Sequence, residues 1–319
     1  MKIVILERNS VGTDVSVDAI GRCGEVTAYA NTTKEEAAGR IADADIVIAN
    51  KTPLNESTLK DAGNVKLICL FATGYDNVDL KYCKSRGIKV ANVVNYSTDA
   101  VAQHTFALCL YLLEKLRHYD DYVKSGQYAA QDRFSNFDIP YTELAGKTWG
   151  IIGMGNIGRK VGRIAQAFGC RVIFHSVTGK SGCTQYERVD FETLLAQSDF
   201  LSLHCPLSSL TRDLINLEAL RKMKKSAILI NVARGPVVND ADLYTALTEG
   251  EIAAAGLDVT GTEPMRESNP LSRFTDSSRL IITPHMAWAS IEARTRCVEE
   301  TCRNIEAFRQ GVDRNIVNC

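Results

Sequence analysis

Residues 147–169 read KTWGIIGMGNIGRKVGRIAQAFG, and this stretch decides the fold. An apolar run, TWGII, leads into Gly153, Gly155 and Gly158 in GxGxxG spacing, and an amphipathic stretch follows. Glycine is common, so the spacing alone is weak; the strand before it and the helix after it give the motif its meaning. Gly153 allows the tight turn, Gly155 lets the backbone approach a pyrophosphate, and Gly158 lets the helix lie close to the strand. Amides at the helix N-terminus then face the phosphate charge. A strand–turn–helix that binds nothing is the bland rival.

Working outward, short apolar runs rich in β-branched residues recur: KIVIL (2–6), DIVIAN (45–50), KLICLFA (66–72), IKVANV (88–93), RVIFHS (171–176), FLSLHCP (200–206), AILINVA (227–233), AAGLDV (254–259) and RLIITP (279–284). Segments of helical composition, such as LEALRKMKK, separate them. Strands apolar on both faces, alternating with helices, predict an α/β fold of parallel sheets covered on both sides. Residues 97–116, STDAVAQHTFALCLYLLEKL, are apolar almost all round after the N-cap candidates Ser97, Thr98 and Asp99, which predicts a buried helix. Residues 117–147 are polar and weakly periodic, the pattern of an arm or a second helix.

A chain of 319 residues calls for one large domain or two ordinary ones. Composition is 45% hydrophobic and 24% charged with a net charge of -1, so nothing points to a nucleic-acid or anionic-membrane partner. MKIVILERNSVGTD lacks the run of about 7–15 apolar residues of a secretory leader. The longest apolar run, Phe106 to Leu113, falls short of the ~20 residues that span a bilayer; a cytoplasmic location is expected. The ten cysteines are scattered with no CxxC pair, which suits buried, reduced thiols better than disulfides or a metal site.

After the glycine turn, the next strand ends in Ser176, where an acidic residue would hold the adenosine ribose hydroxyls. A carboxylate there repels a 2′-phosphate; serine does not, and Thr178 and Lys180 follow. NAD(H) and NADP(H) are both physically reasonable.

Ligands of open parallel sheets bind beyond the C-terminal strand ends. Here AILINVA runs into Arg234 and Gly235, AAGLDV carries Asp258 and is followed by Thr262 and Glu263, and RLIITP is followed by His285. In the N-terminal half, KLICLFA ends at Thr73 and Gly74, and DIVIAN at Asn50 and Lys51. A cation, a carboxylate and an imidazole at strand ends suit reduction of a 2-keto acid. Negative charge grows on the keto oxygen as hydride arrives, and a protonated imidazole can donate to it. A carboxylate on the second ring nitrogen fixes the tautomer and favours the charged form. A guanidinium offers a planar fork to a carboxylate and polarises the keto oxygen. Each residue also has a bland reading, as a satisfied histidine, a surface ion-pair partner or a helix-start glutamate; joint placement at strand ends favours catalysis. Of the other four histidines, His104 lies on the buried helix and reads as structural, His118 lies on the polar arm, and His175 and His204 have no carboxylate nearby in sequence.

With these residues in hand, the chain resembles the D-isomer-specific 2-hydroxyacid dehydrogenases over nearly its whole length. FATGYDNVDL, GIIGMGNIG, LSLHCPL, INVARGPVVND, GLDVTGTEP and ITPHMAWAS fall in that family's order and spacing. The resemblance implies Arg234, Glu263 and His285 as the catalytic set, and amides around Thr73 and Gly74 as holders of the substrate carboxylate. It implies that Asn156, Ile157, Ser176, Cys205, Pro206, Val232, Ala233, Arg234 and Asp258 line the cofactor beside the three glycines. Its fold is two doubly wound parallel-sheet domains: a Rossmann dinucleotide-binding domain, 99–286, inserted in a flavodoxin-like substrate domain, 1–98 plus 287–319. Residues 99–146 would form the arm of a homodimer. YSTDAVAQHTFAL, TEP with NPL after it, and PHMAWAS look most like members that reduce hydroxypyruvate or glyoxylate to D-glycerate or glycolate. Trp288 would narrow the pocket toward a small polar substrate, or serve only packing; Lys51 would approach the substrate, or sit in solvent. Two departures from the family's pattern stand out, Ser176 for the acidic ribose anchor and Gln103 where many members carry Glu. Rival expectations are a pyruvate-like or longer 2-keto acid, or a dinucleotide-sensing corepressor or scaffold on the same fold.

Overall fold

The computed structural model describes residues 1–318. The chain forms two compact units: Met1–Ser97 joined by the segment from Trp288 onward, and Thr98–Ala287.

The first unit is built on five parallel strands, β1 (Lys2–Ile5), β2 (Glu25–Ala28), β3 (Ile46–Ala49), β4 (Leu67–Leu70) and β5 (Lys89–Ala91), in the order β2-β1-β3-β4-β5. This is the flavodoxin-like order. β3 (IVIA) and β4 (LICL) are buried at every residue, as strands covered on both faces must be. The returning helix Ile291–Arg309 starts at Ser290, whose hydroxyl accepts from the Ala293 amide, and it buries one face: Ala293, Cys297, Val298, Thr301, Cys302, Asn304 and Ile305. Arg294 Nη1 donates to Val11 O (3.0 Å) and Nη2 to Asp14 (2.8 Å), while buried Asn304 donates to Asn92 O (2.8 Å). These bonds return the C-terminal segment to the unit where the chain began.

The second unit carries β6 (Thr148–Ile152), β7 (Arg171–His175), β8 (Glu187–Arg188), β9 (Phe200–Leu203), β10 (Ile228–Asn231), β11 (Ala254–Leu257) and β12 (Leu280–Ile282). All are parallel, in the order β12-β11-β10-β9-β6-β7-β8. That is the Rossmann order with one strand added beyond β11, and the winding reverses between β6 and β9. Helix Thr98–Leu113 lies against β10 and β11. Gly256 makes room for it, since a Cβ there would stand 3.0 Å from that of Leu108. Trp149, fully buried on β6, donates to Ser202 (2.9 Å) and rests against Phe106. The arm expected over 117–147 contains two short helices, Leu116–Lys124 and Gln127–Ala130, and neither buries a residue. The nine described cysteines are free. Among the described residues no helix is long and apolar enough to cross a membrane.

Candidate active site

The glycine turn has the geometry that a dinucleotide needs. Gly153 has φ +95°, a conformation open to glycine, and a Cβ on it would lie 2.7 Å from Cys205 N at the end of β9. A Cβ on Gly158 would lie 2.2 Å from Gly153 O, so the helix Asn156–Ala167 can approach β6 only without one. A Cβ on Gly155 would meet nothing within 4 Å. Its bare backbone faces open space at the helix N-terminus, where a pyrophosphate can come close. Ile157 follows in the first turn, and Cys205, Val232 and Ala233 are buried at the ends of the neighbouring strands, with Pro206 exposed beside Cys205. Ser176 directly follows β7 with only 8% of its surface exposed.

The expected catalytic residues follow three adjacent strands. β10, β11 and β12 are neighbours, and their backbone bonding continues past the strand ends: Asp258 N donates to Asn231 O (2.8 Å), and His285 N to Asp258 O (2.8 Å). Gly235, immediately after Arg234, brings the first two loops into contact, because a Cβ on it would sit 1.7 Å from Thr260 O. His285 Nδ1 donates to Glu263 Oε2 at 2.8 Å. That bond fixes the ring and its tautomer, so Nε2 is the nitrogen left to act on a substrate. His285 is held at φ +56°, which costs about 1–3 kcal/mol for a residue with a Cβ and is typical of functional positions.

Asp258 explains how that conformation persists. It is 1% exposed, and its carboxylate accepts from the Met286 amide (2.7 Å), the Ala287 amide (2.8 Å) and the Thr283 hydroxyl (2.6 Å). The segment on either side of His285 is therefore tied to one buried anion. Because the Thr283 hydroxyl donates to Asp258, it accepts from His104 Nε2 (2.9 Å), which also lies 3.5 Å from Asp258. His104, read from the sequence as a structural histidine, is thus joined to the buried Asp258 carboxylate. Asn231, fully buried, holds the Arg234 loop by donating to Arg234 O and accepting from Ala233 N, both at 3.0 Å. His204 is different: burial pushes it down to about 3, so it stays uncharged and cannot serve as an acid.

In the first unit, Lys51 lies on a loop gripped by Glu7, whose carboxylate accepts from the amides of Asn50, Lys51 and Thr52 at 2.7–3.1 Å. The loop after β4 is fixed from two sides: Thr73 Oγ1 donates to Val93 O (2.8 Å), and Asn92 donates to Thr73 O (2.7 Å). Gly74 follows on the same loop. Trp288 meets Tyr96 edge-on, with ring centroids 6.1 Å apart.

Comparison with known proteins shows which family and which chains this one is similar to. Residues 106–287 match the family described as D-isomer specific 2-hydroxyacid dehydrogenase, NAD binding domain. The chain is 38% identical over 325 residues to a hydroxypyruvate reductase of Blautia hydrogenotrophica, covering 100% of each chain. It is 40% identical over 317 residues to a glycerate dehydrogenase of Methylorubrum extorquens, covering 99% of this chain and 98% of that one. Among solved structures, an acyclic imino acid reductase in complex with NADPH and D-arginine superposes with a TM-score of 0.89 at 29% identity, covering 99% of this chain and 100% of that one.

Proposed function

The chain belongs to the D-isomer-specific 2-hydroxyacid dehydrogenase family, and from that premise we propose that it reduces hydroxypyruvate or glyoxylate to D-glycerate or glycolate. The observation that carries the proposal is the 2.8 Å His285–Glu263 bond, set at strand ends adjacent to Arg234. The cofactor, NAD(H) or NADP(H), supplies a hydride to the keto carbon when bound. Its pyrophosphate would lie over Gly155, Asn156 and Ile157, with Gly153 and Gly158 shaping the turn. Ser176, Cys205, Pro206, Val232, Ala233 and Asp258 would complete its lining.

Protonated His285 delivers the proton from Nε2 to the keto oxygen as negative charge builds there, and takes it back when the hydroxy acid is oxidised. Glu263 keeps the imidazolium oriented and offsets its charge. Arg234 stabilises the developing oxyanion and offers its fork to the substrate carboxylate. Thr73 and Gly74 bind that carboxylate through backbone amides, Lys51 adds positive charge, and Trp288 limits substrate size. A cytoplasmic location and a homodimer belong to the same reading. The surface of the arm supports the dimer, since Phe134 and Phe137 are 88% and 72% exposed and Leu116, Val123, Tyr128 and Tyr141 are exposed nearby.

Initial rates with hydroxypyruvate, glyoxylate and pyruvate, each with NADH and NADPH, test the proposal. It expects the first two substrates to be reduced with higher kcat/KM than pyruvate. Dinucleotide binding with no turnover of any 2-keto acid would contradict it.

A further inference from the structure

The end of β7, where the adenosine ribose of a bound dinucleotide falls, is built unlike an NAD(H) site. An NAD(H) site places a carboxylate there to hold both ribose hydroxyls; here Ser176 stands in that place. The chain then turns tightly: Gly179 N donates to Ser176 O (3.0 Å), and Lys180 N to Thr178 Oγ1 (3.4 Å). A cation from a different strand reaches the same turn. Arg188, on the short edge strand β8, pairs with Phe174 of β7 and donates from Nη1 to Gly179 O at 2.9 Å. Its Nη2 lies 3.4 Å from where a Cβ on Gly179 would be, so the guanidinium lies over the turn, and Lys180 follows Gly179 in the chain.

The carboxylates nearest Arg188 in sequence are committed elsewhere. Glu187 pairs with Arg171 at 2.6 Å, and Asp190 caps the next helix by accepting from the Thr193 amide (2.7 Å) and hydroxyl (2.8 Å). Among the described residues no ion pair engages Arg188 or Lys180. The unpaired Arg188 guanidinium over this turn, with exposed Thr178 and Lys180 on the turn and Ser176 buried at its start, suits a dianion on the ribose 2′ oxygen.

We infer that the chain selects NADPH over NADH and that Arg188, not identifiable from sequence spacing, is the principal ligand of the 2′-phosphate, with Lys180 and the hydroxyls of Ser176 and Thr178 as its companions. This deepens the dehydrogenase reading and rests on it for the placement of the nucleotide. One bidentate guanidinium–phosphate contact discriminates by roughly 10–100-fold. The site lies within the second unit and touches no group assigned to proton transfer, so binding can be measured without turnover.

The test uses adenosine 2′,5′-bisphosphate and 5′-AMP as probes, titrated calorimetrically into the full-length protein at fixed ionic strength. The bisphosphate is expected to bind at least about tenfold more tightly. Arg188→Ala is expected to remove most of that ratio while leaving the 5′-AMP affinity near the starting value. Arg188→Lys should restore part of it, which a merely structural role for the side chain would not produce. Lys180→Ala, on the exposed turn, should lower the ratio less. Equal binding of the two probes by the unaltered protein, or equal weakening of both by Arg188→Ala, overturns the inference. A bisphosphate preference in a protein that turns over no 2-keto acid would leave this site standing and remove only the proposed reaction.

Discussion

Whether the hydrogen bonds around Asp258 matter to catalysis is decided at single residues. Thr283→Val removes the hydroxyl that links His104 to Asp258 and leaves a buried carboxylate short of one donor. Small displacements of a catalytic group are costly, so kcat for hydroxypyruvate reduction should fall by about tenfold or more. KM for the cofactor should change little, and Thr283→Ser should restore most of the rate; steady-state kinetics on the three proteins check this. Arg234, Glu263 and His285 are legible in sequence because each follows an apolar strand, and strand ends gather in a parallel sheet. Thr283, His104 and Asn231 are not. Their partners are set by the fold: His104 and Thr283 stand 179 residues apart, and Thr283 and Asp258 stand 25 apart, so no local pattern announces them.

At the scale of elements, the glycine turn allows the separate roles read for Gly155 and Gly158 to be tested apart. Gly158→Ala would force a methyl group to within 2.2 Å of Gly153 O, and overpacking of this kind costs about 1–3 kcal/mol. Gly155→Ala points its methyl group into open space. Thermal denaturation should therefore show a lowered Tm for Gly158→Ala and a nearly unchanged Tm for Gly155→Ala. Dinucleotide titration should show affinity lost in the Gly155 variant despite its intact fold. Ten of the twelve strands correspond to apolar runs that stand out in the sequence. β2 (EVTA) and β8 (ER) do not, because they lie at sheet edges, where one side needs no burial and polar residues are tolerated. Missing β8 also concealed Arg188, whose approach to the β7 turn depends on that edge pairing. The arm's helix Leu116–Lys124, from a stretch that reads as polar and weakly periodic, fully buries no residue within this chain.

For the whole molecule, the arm's exposed Phe134 and Phe137 are the side chains on which the proposed dimer contact depends. Replacing both Phe134 and Phe137 by Asp should convert the proposed dimer to a monomer in sedimentation equilibrium without lowering helix content, since both side chains lie largely in solvent within one chain. A double variant with unchanged mass in solution would place the dimer contact elsewhere. The proposed reaction requires proton delivery by His285, held by Glu263 through Nδ1 and by the Asp258 amide bonds on its C-terminal side. The most direct measurement is single-turnover reduction of hydroxypyruvate by His285→Ala with cofactor prebound. Loss of the imidazole should lower the rate by roughly 10²–10⁴, with the cofactor dissociation constant unchanged within about twofold. A His285→Ala protein that reduces hydroxypyruvate at near the original rate would contradict it.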